Sequence, residues 1–302
     1  MQRRAKDYSN PKSYLWTDLP DAHDILAAGE KRFFSRWQTK DRNILRRFID
    51  EGYAVLPSAV SDSDVDRFQA DLYAALADPN IEFPMTYWDD DGHHYDIARL
   101  EKLGYREAKV LDVHVRLNSS HNLIFAPKLL AFMKDIFREE PVAFQTLYFE
   151  HGSQQYAHQD TAFVYTEPPY HFVASWIALE DIEPNTGELF YYPRSHKMDD
   201  LLFGEGTKAL RPGDPDGPAY SVNLEQFTGE HGYERARFLP KRTDAFFWAS
   251  DLVHGGEQRT GEATRKSLVT HYCPRSATVP YAQEKTVKAQ RLHCGGWVLA
   301  HY

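Results

Sequence analysis

The chain has 302 residues, of which 42% are hydrophobic and 26% are charged, and this composition is that of an ordinary globular protein. The net charge of -9 argues against nucleic acid or an anionic membrane as a partner. Its two cysteines, Cys273 and Cys294, exclude a disulfide framework and a cysteine-rich zinc site.

The N-terminal residues predict neither export nor membrane insertion. Residues 1–7 are basic, but polar residues follow them in place of the apolar segment of a signal peptide. No apolar run approaches the roughly 20 residues that a transmembrane helix needs. We therefore expect a cytoplasmic protein. Residues 1–40 are charged and irregular, and we expect an N-terminal arm there, followed by a single domain over 41–302.

Helical spacing dominates the first part of this domain. Apolar residues at helical intervals predict a helix over 44–49, and 53–57 predicts a short strand. Ser61 is expected to cap the next helix, because Asp64 follows in the position of a capping-box acid. Residues 79–102 predict a long loop of the kind that often forms a lid.

Strand patterns dominate the rest of the domain. Alternation predicts a strand over 112–117, and helical spacing returns over 129–137. Further strands, rich in β-branched and aromatic residues, are predicted over 142–149, 172–179, 187–192, 245–248 and 268–272. The polar segment 199–232 predicts an insertion between strands. The whole pattern predicts a mainly β protein with flanking helices, an α+β domain with a barrel-like core at about 110–275.

A candidate metal site lies in His158-Gln159-Asp160 and in His254. Side chains two residues apart on a strand share a face, so His158 and Asp160 can reach one ion. Alone, this triplet fits a surface or core histidine equally well. His254 ends an apolar strand and precedes two glycines that would let the backbone pass close to a ligand. Two imidazoles and one carboxylate form the ligand set of non-haem Fe(II) oxygenases.

A cation follows the distal histidine. Arg265 comes eleven positions after His254, at the start of a predicted strand. An arginine there gives the far carboxylate of a chelating cosubstrate a charge-assisted partner, although a surface strand residue in an ion pair is the simpler alternative. The combined order and spacing favour a dioxygenase that uses Fe(II), 2-oxoglutarate and O2.

Six segments extend this pattern over most of the chain: 52–56, 158–160, 174–181, 185–189, 192–196 and 254–265. Together they resemble the phytanoyl-CoA dioxygenase-like (PhyH) family of Fe(II)/2-oxoglutarate oxygenases, from about residue 48 to 274. One departure is Arg194, where the family usually has glycine, so its turn is expected to differ in shape. His196 in that turn is expected to be structural.

The resemblance implies a double-stranded β-helix, the jelly-roll or cupin-like core. It implies that His158, Asp160 and His254 bind the iron, and that Arg265 pairs with 2-oxoglutarate. It also implies that Trp176, Gln145 and Ser267 line the cosubstrate pocket. Gln145 and Ser267 fit ordinary core or barrel-lining positions equally well.

The implied reaction is oxidation of an aliphatic C–H bond of a small molecule, with release of succinate and CO2. Asp160 favours hydroxylation, because in related halogenases a small residue replaces this carboxylate; desaturation and ring closure remain open. The pocket mouth is expected near 79–102, Tyr148 and Tyr156, whereas His93 and His94 are expected in a solvated loop.

Two other functions remain open, a cupin-like metal protein or isomerase without oxygenase activity, and an oxygenase that modifies proteins. The long segment 79–102 favours a small molecule. Substrate identity and oligomeric state are open.

Overall fold

The computed structural model describes residues 1–30, 37–204, 206–211, 213–280, 287–292 and 295–301. Cys294 lies outside the described residues. Within these ranges no helix combines the length and the apolar character that crossing a membrane requires. The helices are α1 Ala22–Glu30, α2 Arg42–Glu51, α3 Asp62–Ala77, α4 Asn118–Ile124, α5 Pro127–Phe137 and α6 Tyr220–Glu230.

Strands make up the core of the fold. The first eight are β1 Gln2–Arg4, β2 Tyr53–Leu56, β3 Pro84–Asp89, β4 Gly92–Ile97, β5 Arg106–Leu111, β6 Pro141–Phe149, β7 Val173–Ala178 and β8 Leu189–Tyr191. The others are β9 Asp200–Leu202, β10 Ala236–Phe238, β11 Ala245–Ala249, β12 His254–Gly256, β13 Ser267–Pro274, β14 Val287–Arg291 and β15 Trp297–His301.

Two sheets face each other. The large sheet has the order β2-β11-β7-β13-β6-β5-β3-β4, and β15 joins it beside β6 with β14 outside. The small sheet has the order β10-β8-β12. Side chains of both sheets form one apolar cluster, in which Tyr191 of the small sheet meets Phe246 of the large sheet with ring centroids 4.8 Å apart. The site lies between these sheets.

The other face of the large sheet is covered by helices. Successive residues of a strand point to opposite faces, so Phe247 lies on the reverse of Phe246. The Phe247 ring packs against Phe132 of α5 at 4.9 Å, within the largest apolar cluster of the described chain. The predicted mainly β fold with flanking helices is confirmed.

Local signals account for the first helices. Asp41 caps α2 by accepting a hydrogen bond from the Asn43 amide, and Gly52 ends it in the left-handed conformation with φ 78°. Ser61 caps α3 by accepting from the Asp64 amide, as the capping pattern predicts.

The predicted loop at 79–102 is wrong, because most of it is the hairpin of β3 and β4. The acidic and histidine-rich composition near its turn obscured a period-two pattern, in which Met85 and Tyr87 are buried while neighbouring residues are not. His93 and His94 lie on β4 of this hairpin and not in a loop, although His93 is exposed to solvent as expected. His94 Nε2 lies 2.6 Å from Asp89 Oδ1 across the hairpin.

The strand predicted at 112–117 is also wrong. The nearest strand is β5, which ends at Leu111. Asp112 follows it with a φ of 54°, which interrupts the extended chain. A single 3-10 turn, Val113–Val115, follows. The apolar alternation that suggested a strand comes from this turn packing against the core.

Segment 199–232 contains both β9 and α6. Strand β1, from the predicted N-terminal arm, pairs with β9, so that Arg4 lies opposite Asp200. Apolar side chains of α6 pack against Phe203 and its neighbours. Both segments are therefore folded against the edge of the barrel that carries the candidate site.

Candidate metal centre

His158 and His254 are held side by side by their own backbones. The His158 amide donates to the His254 carbonyl and the His254 amide donates to the His158 carbonyl, each at 2.9 Å. This antiparallel bridge places the two imidazole ring centroids 4.4 Å apart. The two histidines, 96 positions apart in the sequence, thus form one unit.

The backbone also selects the tautomer of both rings. Nδ1 of His158 lies 2.8 Å from the Tyr156 carbonyl, and Nδ1 of His254 lies 2.9 Å from the Leu252 carbonyl. A carbonyl oxygen only accepts hydrogen bonds, so each Nδ1 carries the proton. Each Nε2 therefore presents a lone pair to the space between the rings, as a metal-binding histidine does.

Asp160 completes the group. Its Oδ1 lies 3.8 Å from His158 Nε2 and 3.6 Å from His254 Nε2. The Trp248 indole donates to Oδ2 at 2.7 Å, which fixes the carboxylate. One ligand atom from each of the three buried residues can be chosen so that all lie within 4.8 Å of one another. Three donors on one side leave the other side facing a cavity.

The surroundings set the protonation states that metal binding needs. Burial, with His254 beside it, lowers the pKa of His158 to about 3. Burial alone would raise the pKa of Asp160, but His254, His271 and His158 together hold it below its usual range. At neutral pH the imidazole of His158 is neutral and Asp160 is ionised, the forms that bind a divalent cation.

A small cavity of about 50 Å³, the triad cavity, adjoins His158, Asp160 and His254. It is lined by Leu147, Phe149, Ser153, Gln155, His158, Asp160, Trp176, Leu189, Trp248, His254, Gly255, Arg265, Val269 and His271. The cavity thus joins the candidate ligands to Arg265.

Arg265 enters this cavity as a buried cation. The residue is 2% exposed, and its guanidinium carbon lies 5.4 Å from the centroid of the Trp176 ring. Its Nε has no hydrogen-bond partner in the described part of the chain. Burial lowers the pKa of Arg265 to about 10, so it is charged at neutral pH. A buried charge of this kind is costly unless an anion meets it.

The other predicted pocket residues divide into two groups. Trp176 lines the cavity, and its indole nitrogen has no hydrogen-bond partner among the described residues. Ser267 is fully buried on the strand that follows Arg265, and its hydroxyl is likewise unpaired within the described ranges. Gln145 is half-buried on β6 opposite His271 and does not line the triad cavity.

Sequence reasoning missed His271. Its Nε2 lies 3.4 Å from Asp160 Oδ2, and neither ring nitrogen makes a hydrogen bond to another described residue. The signal was present, since residues 265, 267, 269 and 271 alternate along one strand and share a face. Lys109 was also missed, a β5 lysine near enough to His158 to contribute to lowering its pKa.

A second, larger cavity of about 320 Å³, the outer cavity, meets the triad cavity at His158 and Gln155. Around its opening stand aromatic side chains, with Tyr156 74% exposed and Phe163 52% exposed. Tyr156 thus lies where the mouth is expected. Tyr148 does not, because it points to the helix-covered face and bonds with Tyr73 and Glu150.

The turn at Arg194 keeps the backbone that glycine favours. Arg194 has φ 72°, and its amide donates to the Glu51 carbonyl at 2.8 Å. Arg194 thus takes the left-handed conformation that glycine adopts readily, and the expected difference in turn shape from the family stays a prediction. His196 packs on Gly52, where an added Cβ would lie 2.4 Å from its Nδ1, and its Nε2 is 3.3 Å from the Ile49 carbonyl. Its surroundings are those of a structural histidine.

The glycines after His254 serve the packing of the chain itself. A Cβ at Gly255 would lie 2.4 Å from the Phe190 ring, and a Cβ at Gly256 would lie 2.6 Å from the Ser153 hydroxyl. We expected these glycines to let the backbone pass close to a ligand. In this structure they let the backbone pass close to neighbouring strands and loops.

Comparisons with known proteins first define the fold. The epimerase SnoN from nogalamycin biosynthesis, in complex with Fe3+, alpha ketoglutarate and nogalamycin RO, aligns with a TM-score of 0.61 at 17% identity, over 85% of this chain and 97% of SnoN. EctD from S. alaskensis, with 2-oxoglutarate and 5-hydroxyectoine, aligns with a TM-score of 0.58 at 18% identity, over 82% and 80% of the two chains. The chain has their double-stranded β-helix fold.

The family follows from the sequence. The family model described as phytanoyl-CoA dioxygenase (PhyH) matches residues 48–267, so the chain belongs to that family. The rat phytanoyl-CoA dioxygenase domain-containing protein 1 is 27% identical over 166 residues, which are 52% of this chain and 54% of that protein. The match therefore spans about half the length of this relative.

Proposed function

We propose that this protein is an Fe(II)- and 2-oxoglutarate-dependent dioxygenase that hydroxylates an aliphatic C–H bond of a small molecule. One oxygen atom of O2 would enter the substrate and the other would enter succinate, with CO2 released from 2-oxoglutarate. The observation that carries the proposal is the buried guanidinium of Arg265, whose Nε has no hydrogen-bond partner among the described residues, in the same cavity as His158, Asp160 and His254. Membership of the family supports it.

The triad fits Fe(II) by the chemistry of its donors. His158 and His254 would each contribute Nε2, and Asp160 would contribute a carboxylate oxygen, the two-histidine, one-carboxylate set that suits this ion. When bound, Fe(II) supplies the activation of O2 that is coupled to oxidative decarboxylation of 2-oxoglutarate. Trp248 keeps the carboxylate oriented through its hydrogen bond to the second oxygen.

The triad cavity suits 2-oxoglutarate because its buried hydrogen-bond donors need an anion. Arg265 would bind the distal carboxylate, and the low polarity around it strengthens such a pair. Trp176 and Ser267 carry further unpaired donors on the same face and would orient the cosubstrate. We assign Gln145 a lesser role, at the margin of this site.

The outer cavity is the proposed substrate side. It is lined by His158 together with exposed residues, whereas Arg265 lines only the triad cavity. Phe163, whose ring centroid lies 5.7 Å from that of His158, and Trp88 would flank a small molecule there. The structures of SnoN and EctD include small molecules, nogalamycin RO and 5-hydroxyectoine.

Hydroxylation is the reaction that Asp160 favours, because the carboxylate occupies the position that halide would need. SnoN, which shares the fold, is named as an epimerase, so the fold does not decide the type of reaction. We therefore base the proposed hydroxylation on the set of metal ligands alone. A cupin-like protein without oxygenase activity would have no use for Arg265 in this cavity. The expected cytoplasmic location stays a prediction.

Two measurements test the proposal in sequence. Calorimetric titration of 2-oxoglutarate should give binding to Mn(II)-loaded protein and much weaker binding to metal-free protein, because the metal supplies part of the cosubstrate site. Equal affinity in both forms, or none in either, would overturn it. A screen by succinate release would then find the substrate. A product heavier by one oxygen atom supports hydroxylation, whereas an unchanged mass would indicate epimerisation.

A further inference from the structure

A buried network of four charged side chains lies beside the candidate metal centre. Lys6 Nζ is 2.5 Å from Asp251 Oδ2 and 3.1 Å from Asp200 Oδ1. Lys208 Nζ is 2.7 Å from Asp251 Oδ1 and 3.2 Å from Asp200 Oδ1. No side chain of the four is more than 11% exposed. Two ammonium groups and two carboxylates therefore balance each other away from solvent.

Asp251 connects this network to the segment that carries His158 and Asp160. The Thr161 hydroxyl donates to Asp251 Oδ1 at 2.7 Å, and the Gln159 side-chain amide donates to the Asp251 carbonyl at 2.6 Å. Thr161 directly follows Asp160, and Gln159 lies between the two candidate ligands. Any shift of Asp251 is thus transmitted to both neighbours of Asp160.

Asp251 also controls the second ligand segment. It lies in the turn after β11, three residues before His254, whose Nδ1 is held by the carbonyl of Leu252. The same carboxylate thus supports both segments that meet at the His158–His254 bridge. Positional control of this kind decides the spacing of metal ligands.

Lys6 brings the N-terminal segment of the chain into this network. It follows β1, which pairs with β9, and it reaches Asp251 across 245 positions of sequence. Burial alone would lower the pKa of Lys6, but Asp251 and Asp200 outweigh it and raise the pKa. Lys6 is therefore charged, and the Tyr170 hydroxyl donates to the remaining oxygen of Asp200 at 3.0 Å.

We propose that Lys6 is a positioning residue of the metal centre, which fixes Asp251 and through it the spacing of His158, Asp160 and His254. The inference rests on the proposed function only in that the triad binds a divalent cation. Without Lys6, Asp251 and Asp200 share the ammonium group of Lys208, with the exposed Arg4 guanidinium 4.0 Å from Asp200 Oδ2 as the other nearby cation, and the two carboxylates repel each other. Asp251 then leaves its present place, and the hydrogen bonds to Thr161 and Gln159 are lost.

Position and simple charge have opposite effects at this site. Removal of a nearby positive charge, with no movement, would increase the affinity for a divalent cation. Loss of ligand spacing would decrease it. The sign of the change in metal affinity therefore separates a positioning residue from a purely electrostatic one, and thermal stability separates it from a residue that only stabilises the fold.

The test is Mn(II) binding, measured by electron paramagnetic resonance, in Lys6→Met and in Lys12→Met. Lys12 is an exposed lysine of the same N-terminal segment and serves as the matched control. We expect Lys6→Met to bind Mn(II) about 10- to 100-fold more weakly, the usual range for groups that orient metal ligands. Lys12→Met should match the wild type. Unchanged or tighter binding in Lys6→Met would overturn the proposal.

A second variant keeps the test decisive if Lys6→Met folds poorly. Lys6→Met with Asp200→Asn restores the charge balance but leaves Asp251 Oδ2 without its ammonium partner. We expect its melting temperature to recover while the affinity for Mn(II) stays at least about 10-fold weak. Recovery of both would show that only charge balance matters and would overturn the proposal. Absence of Mn(II) binding in the wild type would instead refute the proposed function.

Discussion

The two faces of the large sheet are made by the same strands but differ in the polar groups that they bury. On the helix-covered face Phe247 packs among apolar side chains, the Tyr272 hydroxyl donates to the Ile124 carbonyl at 2.9 Å, and one hydroxyl, that of Thr270, has no hydrogen-bond partner in the described residues. On the other face Arg265, Trp176 and Ser267 all bury such unpaired polar atoms, and one of these atoms belongs to a cation. The second face therefore carries the larger cost, which a ligand would offset.

The largest expected effect is at the triad. Asp160→Ala removes the only carboxylate of the ligand set, and we expect succinate formation to fall by about 10³-fold or more, which is about 4 kcal/mol of lost transition-state stabilisation. Asp90→Ala, at an exposed turn, is the control and should leave the rate unchanged. Full turnover in Asp160→Ala would show that the reaction does not depend on Asp160 as a metal ligand.

Truncation on the helix-covered face should affect stability alone. Phe247 is fully buried against α5, and Phe247→Ala should lower the free energy of unfolding by about 3–5 kcal/mol, as such truncations do. The affinity of the folded, Mn(II)-loaded protein for 2-oxoglutarate should be unchanged. Urea unfolding and calorimetry measure the two quantities. A large loss of affinity would mean that the two faces are not independent.

Arg265→Met should give the opposite pattern. We expect affinity for 2-oxoglutarate to fall about 10- to 100-fold, because hydrogen bonds to a charged group are lost. In the absence of 2-oxoglutarate we expect stability to rise by about 1–3 kcal/mol, since an unpaired buried group is replaced by an apolar one. Arg67→Met, on the exposed side of α3, is the control for the loss of a charge. Reduced stability in Arg265→Met would contradict the cost assigned to this face.

A smaller effect concerns pH. Burial lowers the pKa of His196 to about 3, below its ordinary value of 6.5. The folded state therefore favours neutral His196, and this contribution is complete above pH 6.5 and is lost as the pH falls towards 3. Between these values we expect His196→Gln to reduce the pH dependence of unfolding by about 1.4 kcal/mol per pH unit. Urea unfolding of metal-free protein at several pH values measures the free energy of unfolding as a function of pH. The same pH dependence in His196→Gln as in the wild type would contradict the prediction.

Much of the fold was predictable where local signals decide it. Helices α2 and α3 follow from their caps and apolar spacing, and the central strands follow from their composition. The hairpin of β3 and β4 was missed because acidic residues and histidines crowd its turn and mask the alternation. Strand β5 was missed because it ends where Asp112 takes a left-handed conformation, and the sequence around Asp112 does not predict that conformation.

The candidate site shows the same division. His158, Asp160, His254 and Arg265 were found because their order and spacing are a local pattern. Alternation along the chain places His271 on the same face as Arg265, but its contact with Asp160 also depends on the register of β13 against its neighbours. The contact between Lys6 and Asp251 joins opposite ends of the chain and could be found only in the folded protein.

The most direct test of the account is an anaerobic titration of the purified protein with Fe(II) and 2-oxoglutarate, followed by visible absorption. We expect the weak charge-transfer band of 2-oxoglutarate chelated to Fe(II), and we expect this band to be lost in His158→Ala. Metal-loaded protein that shows no such band would contradict the assignment of His158, Asp160, His254 and Arg265 to one oxygenase site.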